Sequence, residues 1–257
     1  MTLTAHQLAA LRDLDEVWPG VNTVIIGATA LGCFFDMQWR RTVDVDLVIA
    51  LEIDEVPGAL IGRAGWVQHP RKEHELVSPH GVKIDLLPAG ASLMAAGQIQ
   101  WPSGQVMSLA GMDLAFQHAQ SHAALGDCVA RVAPPAVIAM LKMASFNDRP
   151  AERERDLSDI AHLLDRYVED DSERRWDEAL EIEEFDLAPA YLLGLDIGRI
   201  ASTETHQSII DSFLERVADP ESASHDIMSR SGPSRWRTEV DALSRRFHAF
   251  RAGIAAG

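Results

Sequence analysis

The stretch Val24-Ile25-Ile26-Gly27-Ala28-Thr29-Ala30-Leu31-Gly32-Cys33-Phe34-Phe35, continuing through Arg40-Arg41-Thr42-Val43-Asp44-Val45-Asp46-Leu47-Val48-Ile49-Ala50, decides how this chain is read. Val24 to Ile26 is a short apolar run of the kind that forms a buried strand. Gly27-Ala28-Thr29 makes a tight turn, Ala28 to Phe35 a short apolar helix, and Thr42 to Ala50 a second strand. Successive side chains on a strand point to opposite faces, so Asp44 and Asp46 share one side and Val43, Val45 and Leu47 take the other. Two carboxylates held side by side in this way are a ready site for a divalent cation.

Working outward, the chain has the size and apolar content to bury a full core, at 257 residues and 47% apolar composition. No apolar run approaches the roughly 20 residues that span a bilayer, and the N-terminus has no basic segment followed by an apolar one. A cytoplasmic protein without a membrane partner is therefore expected. Cys33 and Cys128 are too few for a disulfide framework or a thiolate metal site. The formal charge of −16 repels a phosphate backbone at long range, so any nucleic-acid contact must come from a local basic patch.

Thr4 caps a first helix whose stripe is Leu8, Leu11, Leu14 and Trp18, ended by Pro19-Gly20. After the second strand, Trp66-Val67 and Glu75 to Ser78 are weaker strands, and Val82 to Leu87 is a strand carrying the single acid Asp85. Ile99 to Leu109 turns at Pro102-Ser103-Gly104 as a hairpin. From Pro134 onward the apolar period changes from two to three-and-four, which predicts a strand-containing first domain over 1–133 and a helical domain over 134–257. Pro134-Pro135 opens a helix with Val137, Met140, Leu141 and Ala144 on its core side, leaving Lys142 off the stripe and free to face a cleft. Further helices are expected over 157–168, 187–200, 209–217 and 240–254. Arg155 and Asp159 are spaced to pair along the first of these, and Asp219 to Ser234 reads as a mobile loop rich in Ser, Pro and Gly.

Phosphoryl or nucleotidyl transfer needs divalent ions held by carboxylates, with backbone amides and a lysine to bind the rest of a triphosphate. Gly27 allows close backbone approach to a phosphate, the following helix N-terminus presents free N–H groups, and Thr29 adds a hydroxyl. Asp44 and Asp46 would hold the ions. Asp85 would complete the metal site or accept a proton from the attacking hydroxyl, and Lys142 would reach in from the helical half.

These residues carry a resemblance. G-A-T-A-L followed by R-R-T-V-D-V-D-L resembles the signature of the DNA polymerase beta type nucleotidyltransferase superfamily, and L-K-M-A-S-F-N-D-R-P-A-E-R-E-R-D-L-S-D-I-A-H-L-L is similar to its AbiEii/AbiGii toxin branch. The resemblance spans about residues 21 to 168. It implies an α+β chain in which a minimal nucleotidyltransferase mixed sheet with flanking helices precedes a C-terminal helical domain. It also implies nucleotide binding by Gly27, Ala28, Thr29, Arg40, Lys142 and Asp156, metal binding by Asp44, Asp46 and Asp85, and catalytic parts for those three acids and Lys142. Mg2+ or Mn2+ would be the cofactor and a nucleoside triphosphate the donor, with RNA or a protein as acceptor and a cognate antitoxin as a further partner.

Plainer readings stand beside these. Asp-x-Asp alone is common on solvated faces, Asp85 suits a buried acid paired with an arginine, and Lys142 suits a solvated helix lysine. His118 and His122 have a zinc-like spacing without a nearby Glu or Cys partner, and Trp39 and Trp101 fit either a cleft or a core. The same chemistry with a small acceptor such as an antibiotic, and a noncatalytic member of the fold that binds a partner, are the competing functions. The arginines at 230, 235, 237, 245, 246 and 251 favour an RNA acceptor if they are displayed, and otherwise form a charged outer face of the last helix.

Overall fold

A computed structural model of the protein describes residues 3–37, 44–61, 65–180 and 182–257, except the side chains at 57 and 59. The chain divides into two compact units, Met1–Pro134 and Pro135–Gly257. The first is a mixed sheet with helices and the second is helical, the α+β class expected.

The first unit opens with α1 (Ala5–Val17), where the Thr4 hydroxyl accepts from Gln7 N–H and Gln7 reaches back to the Thr4 N–H. This reciprocal box satisfies two amides that a helix start leaves open. Then follow β1 (Thr23–Ile26), α2 (Gly27–Phe34), β2 (Val45–Ile49), α3 (Glu55–Ile61), β3 (Val67–Gln68), β4 (Glu75–Val77) and β5 (Lys83–Pro88). The unit continues with α4 (Ala91–Ala96), the hairpin β6 (Gln98–Gln100) and β7 (Val106–Ser108), α5 (Met112–His118) and β8 (Arg131–Val132). The described strands form a six-stranded sheet of order β3-β4-β5-β2-β1-β8, with β6-β7 apart as a two-stranded ribbon. β1 and β2 run antiparallel, whereas β5 joins β2 and β8 joins β1 in parallel. All four residues of β1 are buried, as are Val45, Leu47, Ile84 and Leu86. The apolar runs of the sequence are therefore the sheet's center, and β8, two residues long, is too short to show any period in sequence.

The second unit holds α6 (Pro135–Asp148), α7 (Glu154–Arg166), α8 (Arg174–Asp177), α9 (Ala188–Ile200), α10 (Glu204–Val217), α11 (Ala223–Ser231) and α12 (Ala242–Ala256). Burial on α6 runs through every position from Ala136 to Met143, so it is enclosed on all sides rather than along one stripe. α11 replaces the mobile loop expected over 219–234: the Ser222 hydroxyl accepts from His225 N–H to cap it, and Met228 is fully buried. Ser and Pro there are cap and boundary residues. α9 and α12 cross at glycines, since a Cβ on Gly194 would strike the Phe250 carbonyl and one on Gly253 the Tyr191 carbonyl. Among the described residues no helix is long and apolar enough to cross a membrane.

Candidate active site

Strand register assembles the first unit's polar row. Ile26 on β1 lies opposite Asp46 on β2, Asp46 beside Asp85 on β5, and Asp85 opposite Glu75 on β4. Residues paired in register share a face of a sheet, so Asp46, Asp85 and Glu75 line one side, while Val45, Leu47, Ile84 and Leu86 fill the other. Asp44 precedes β2 by one residue and is anchored by its backbone, whose carbonyl accepts a 2.6 Å bond from the Thr29 hydroxyl. That hydroxyl, expected to meet a phosphate, is thus directed at the chain itself. Thr29 and Ala28 are both buried, so the half-buried Gly27 is the exposed part of this turn.

Gly27 has φ +66, in the left-handed region that suits glycine, and a Cβ there would collide with the Asp46 carboxylate. The strand-to-helix turn therefore lies directly against the second acid of the pair. α2 starts at this glycine with no side-chain cap from Ile26, so Ile26 gives its first amides no side-chain acceptor, and such amides at a helix start favour an anion. Among the described residues the Asp44 Oδ1 is buried without a hydrogen-bond partner, an arrangement that a cation would relieve.

Charge concentrates at the far side of the row. Burial pushes the Asp85 carboxyl above its ordinary pKa; Glu75 and Asp44 add to this, and His74 and Lys72 oppose it. Among the described residues, the leading groups acting on Asp85 are these, and none is the arginine of the expected alternative. Glu75 is buried, and Lys72 Nζ lies 2.7 Å from its Oε2, which holds the Glu75 carboxyl below its usual range. Neither Glu75 nor Lys72 stands out in the sequence, because nothing in E-L-V shows which strand it will pair with.

Three acids sharing cations among themselves was the expectation. Among the described residues, however, no group of three or more His, Cys, Asp or Glu side chains could hold a metal ion. The donors fit a different arrangement, in which one or two carboxylates hold a Mg2+-like ion and phosphate oxygens and water supply the rest. Asp44 and Asp46, with the orphaned Asp44 oxygen, meet that requirement.

Arg40, Trp39 and the first two residues of the predicted second strand, Thr42 and Val43, lie outside the described residues. Lys142 does not face a cleft. It is 5% exposed, and its ammonium sits 2.8 Å from Asp156 and 2.7 Å from Asp159, inside the helical unit. Burial pulls its pKa down, yet the two carboxylates outweigh this and hold it above the ordinary value. Asp159 consequently pairs with Lys142 rather than with Arg155. Four of the six tail arginines are also engaged, Arg230 with Asp226, Arg235 and the buried Arg246 with Asp165, and Arg245 with Glu184. Trp101 is buried against His74, and His122 accepts from the Ala124 N–H.

A glycine bend, an uncapped helix start and acids on adjoining strands are parts that phosphoryl and nucleotidyl transfer can use. The chain belongs to the nucleotidyl transferase AbiEii toxin family of type IV toxin–antitoxin systems, whose family model matches residues 10–242. No curated protein and no solved structure matches the chain. As a member, the protein is a nucleotidyltransferase of the toxin kind.

Proposed function

We propose that the protein transfers a nucleoside monophosphate from a nucleoside triphosphate to a hydroxyl of RNA or of a protein, and that the site is the row beside Gly27. The observation that carries this reading is the contact between Gly27 and the Asp46 carboxylate, together with a buried Asp44 oxygen that has no hydrogen-bond partner among the described residues. It brings the place where a phosphate can approach the backbone and the place where a cation is wanted to one spot. Asp44 and Asp46 would hold Mg2+ or Mn2+. Such an ion, when bound, neutralises phosphate charge and polarises the phosphorus–oxygen bonds.

The chain's own groups divide the remaining work. The first amides of α2 and the Gly27 bend receive phosphate oxygens, and the α2 helix start favours their negative charge. Asp85 takes the proton of the attacking hydroxyl. The acceptor oxygen bonds to the α-phosphorus, the bond from that phosphorus to the bridging oxygen of the β-phosphate breaks, and pyrophosphate leaves. Lys142 and Asp156 are not part of this reading, because their charges meet each other and Asp159 in the helical unit. With four of the six tail arginines in ion pairs, that tail no longer favours RNA over protein.

The test incubates purified protein with each α-labelled nucleoside triphosphate, Mg2+ or Mn2+, and separated RNA, protein and metabolite fractions. Label on RNA or protein that disappears when the metal is chelated supports the reading. Label on a small metabolite moves it to the small-acceptor alternative, and absence of transfer under every condition removes it. A separately encoded antitoxin is proposed as the restraining partner. Co-expression of the neighbouring reading frame should relieve growth arrest caused by this chain, and unrelieved arrest would count against that pairing.

A further inference from the structure

The acidic row has a cation of its own that the reading above does not use. Glu75 lies at its outer end, in register with Asp85, and is only 4% exposed. Its Oε2 receives Lys72 at 2.7 Å, while Lys83 lies 3.7 Å from its Oε1. The Lys72 side chain itself is 54% exposed, so a buried anchor holds an ammonium that still faces solvent. The segment between β3 and β4 that carries Lys72 is tied down on both sides. Gln68 donates to the Glu73 carbonyl, Glu75 N–H donates to the Lys72 carbonyl, and the Ser103 hydroxyl donates to the Glu73 carboxylate.

Asp44, Asp46, Asp85 and Glu75 together would repel a polyanion, so a nucleotide site built on them needs fixed positive charge besides any metal. Lysine suits this position better than arginine. Its ammonium is a compact point charge with three donors, able to keep one bond to Glu75 and offer the others to phosphate. The carboxylates of Asp85 and Asp44 act on this ammonium beyond its bond to Glu75, which places it within electrostatic reach of the row.

We infer that Lys72 binds the triphosphate of the donor nucleotide and that Glu75 is the positioning residue that holds it there. This rests on the proposed site above and extends it to a donor contact on the β3–β4 side. It differs from a plain surface salt bridge in what it predicts. A surface pair would matter slightly for stability and not at all for ligand affinity.

Binding of inorganic tripolyphosphate and of each nucleoside triphosphate, in the presence of Mg2+, is measured by calorimetry on the full chain and on the variants K72A, K72R, E75Q and D46N. The expected result is about a tenfold weaker affinity for tripolyphosphate and triphosphates in K72A, the scale of one charge-assisted hydrogen bond. Affinity for the corresponding nucleosides should be unchanged, K72R should recover only part of the loss, and E75Q should fall between wild type and K72A. In transfer assays the K72A loss should appear in the triphosphate KM more than in kcat. Wild-type affinity in K72A, with its unfolding temperature unchanged and with D46N inactive, overturns this inference and leaves the proposed site standing. If D46N transfers as well as wild type, the proposed site itself fails. If the wild-type chain binds no triphosphate, both fail together.

Discussion

The two units set their buried charges in different company. In the helical unit the Lys142 ammonium is closed between Asp156 and Asp159, and the buried Arg246 meets Asp165 and Glu239 while stacking on Trp236. In the sheet unit the Asp44 Oδ1 is buried with no hydrogen-bond partner among the described residues, and three further acids line the face beyond it. Buried charges are tolerated when partners satisfy them and are costly otherwise. Among the described residues Asp165 Oδ2 and Arg246 Nε of the helical unit also go without a hydrogen bond, but both side chains meet opposite charge; a carboxylate in that company maintains its unit, whereas one set among other acids suits a cation that binds. The proposed function accordingly sets the chemistry in the sheet unit and leaves the buried ion pairs of the helical unit to maintain its packing.

Removing Lys142 should give the largest effect on that contrast. Lys142→Met strands two buried carboxylates and should destabilise the chain by about 3–5 kcal/mol, measured by denaturant unfolding. The triple variant with Asp156→Asn and Asp159→Asn should regain much of this. If the recovered triple variant is folded yet fails to transfer, Lys142 has a part at the nucleotide and the contrast between the units is broken.

Gly27→Ala comes next. A side chain in the left-handed region costs about 1–2 kcal/mol, and the new methyl must displace the Asp46 carboxylate. Transfer should fall far more than stability does, and parallel losses would mean that the turn is only structural. Thr29→Val removes the hydroxyl that fixes the Asp44 carbonyl, and should cost on the order of 1–3 kcal/mol in stability with some loss of activity. An unchanged unfolding midpoint would show that Asp44 is held by other means.

The smallest effect concerns His162 on α7, whose pKa is lowered to about 4 by burial and by the Arg166 charge, against Asp165 and Asp159. Its neutral form is favoured in the folded chain. Its contribution is therefore complete above the unfolded value near 6.5 and is lost as pH falls from there toward 4. Between pH 7 and 4.5 the unfolding temperature of His162→Gln should decline less than that of the wild type; equal slopes would remove His162 as a cause.

How much of this could be read beforehand follows the same division. The row around Gly27 was legible because strand alternation and a glycine bend are local patterns: V-I-I-G-A-T and V-D-V-D place Asp44 and Asp46 together without knowledge of strand order. Glu75 and Lys72 were not, since their approach to Asp85 depends on β4 pairing with β5, a relation that no local pattern expresses. Lys142 was misjudged for a related reason. A lysine off an apolar stripe normally reaches water, but α6 is enclosed on all sides and its neighbour α7 brings two carboxylates to it. The segment 219–234 failed because Ser, Pro and Gly mark caps and boundaries as readily as loops, and only the packing of Met228 distinguishes them.

The measurement that tests the central claim most directly is Asp44→Asn, followed in parallel by thermal unfolding and by transfer of labelled nucleoside monophosphate. A carboxylate kept for a cation burdens the empty site with repulsion, so the variant should unfold at the same temperature or higher while transfer drops by about a hundredfold or more. A variant that loses stability and keeps its activity would contradict the account, because Asp44 would then be part of the scaffold and the row beside Gly27 would not be where the chemistry occurs.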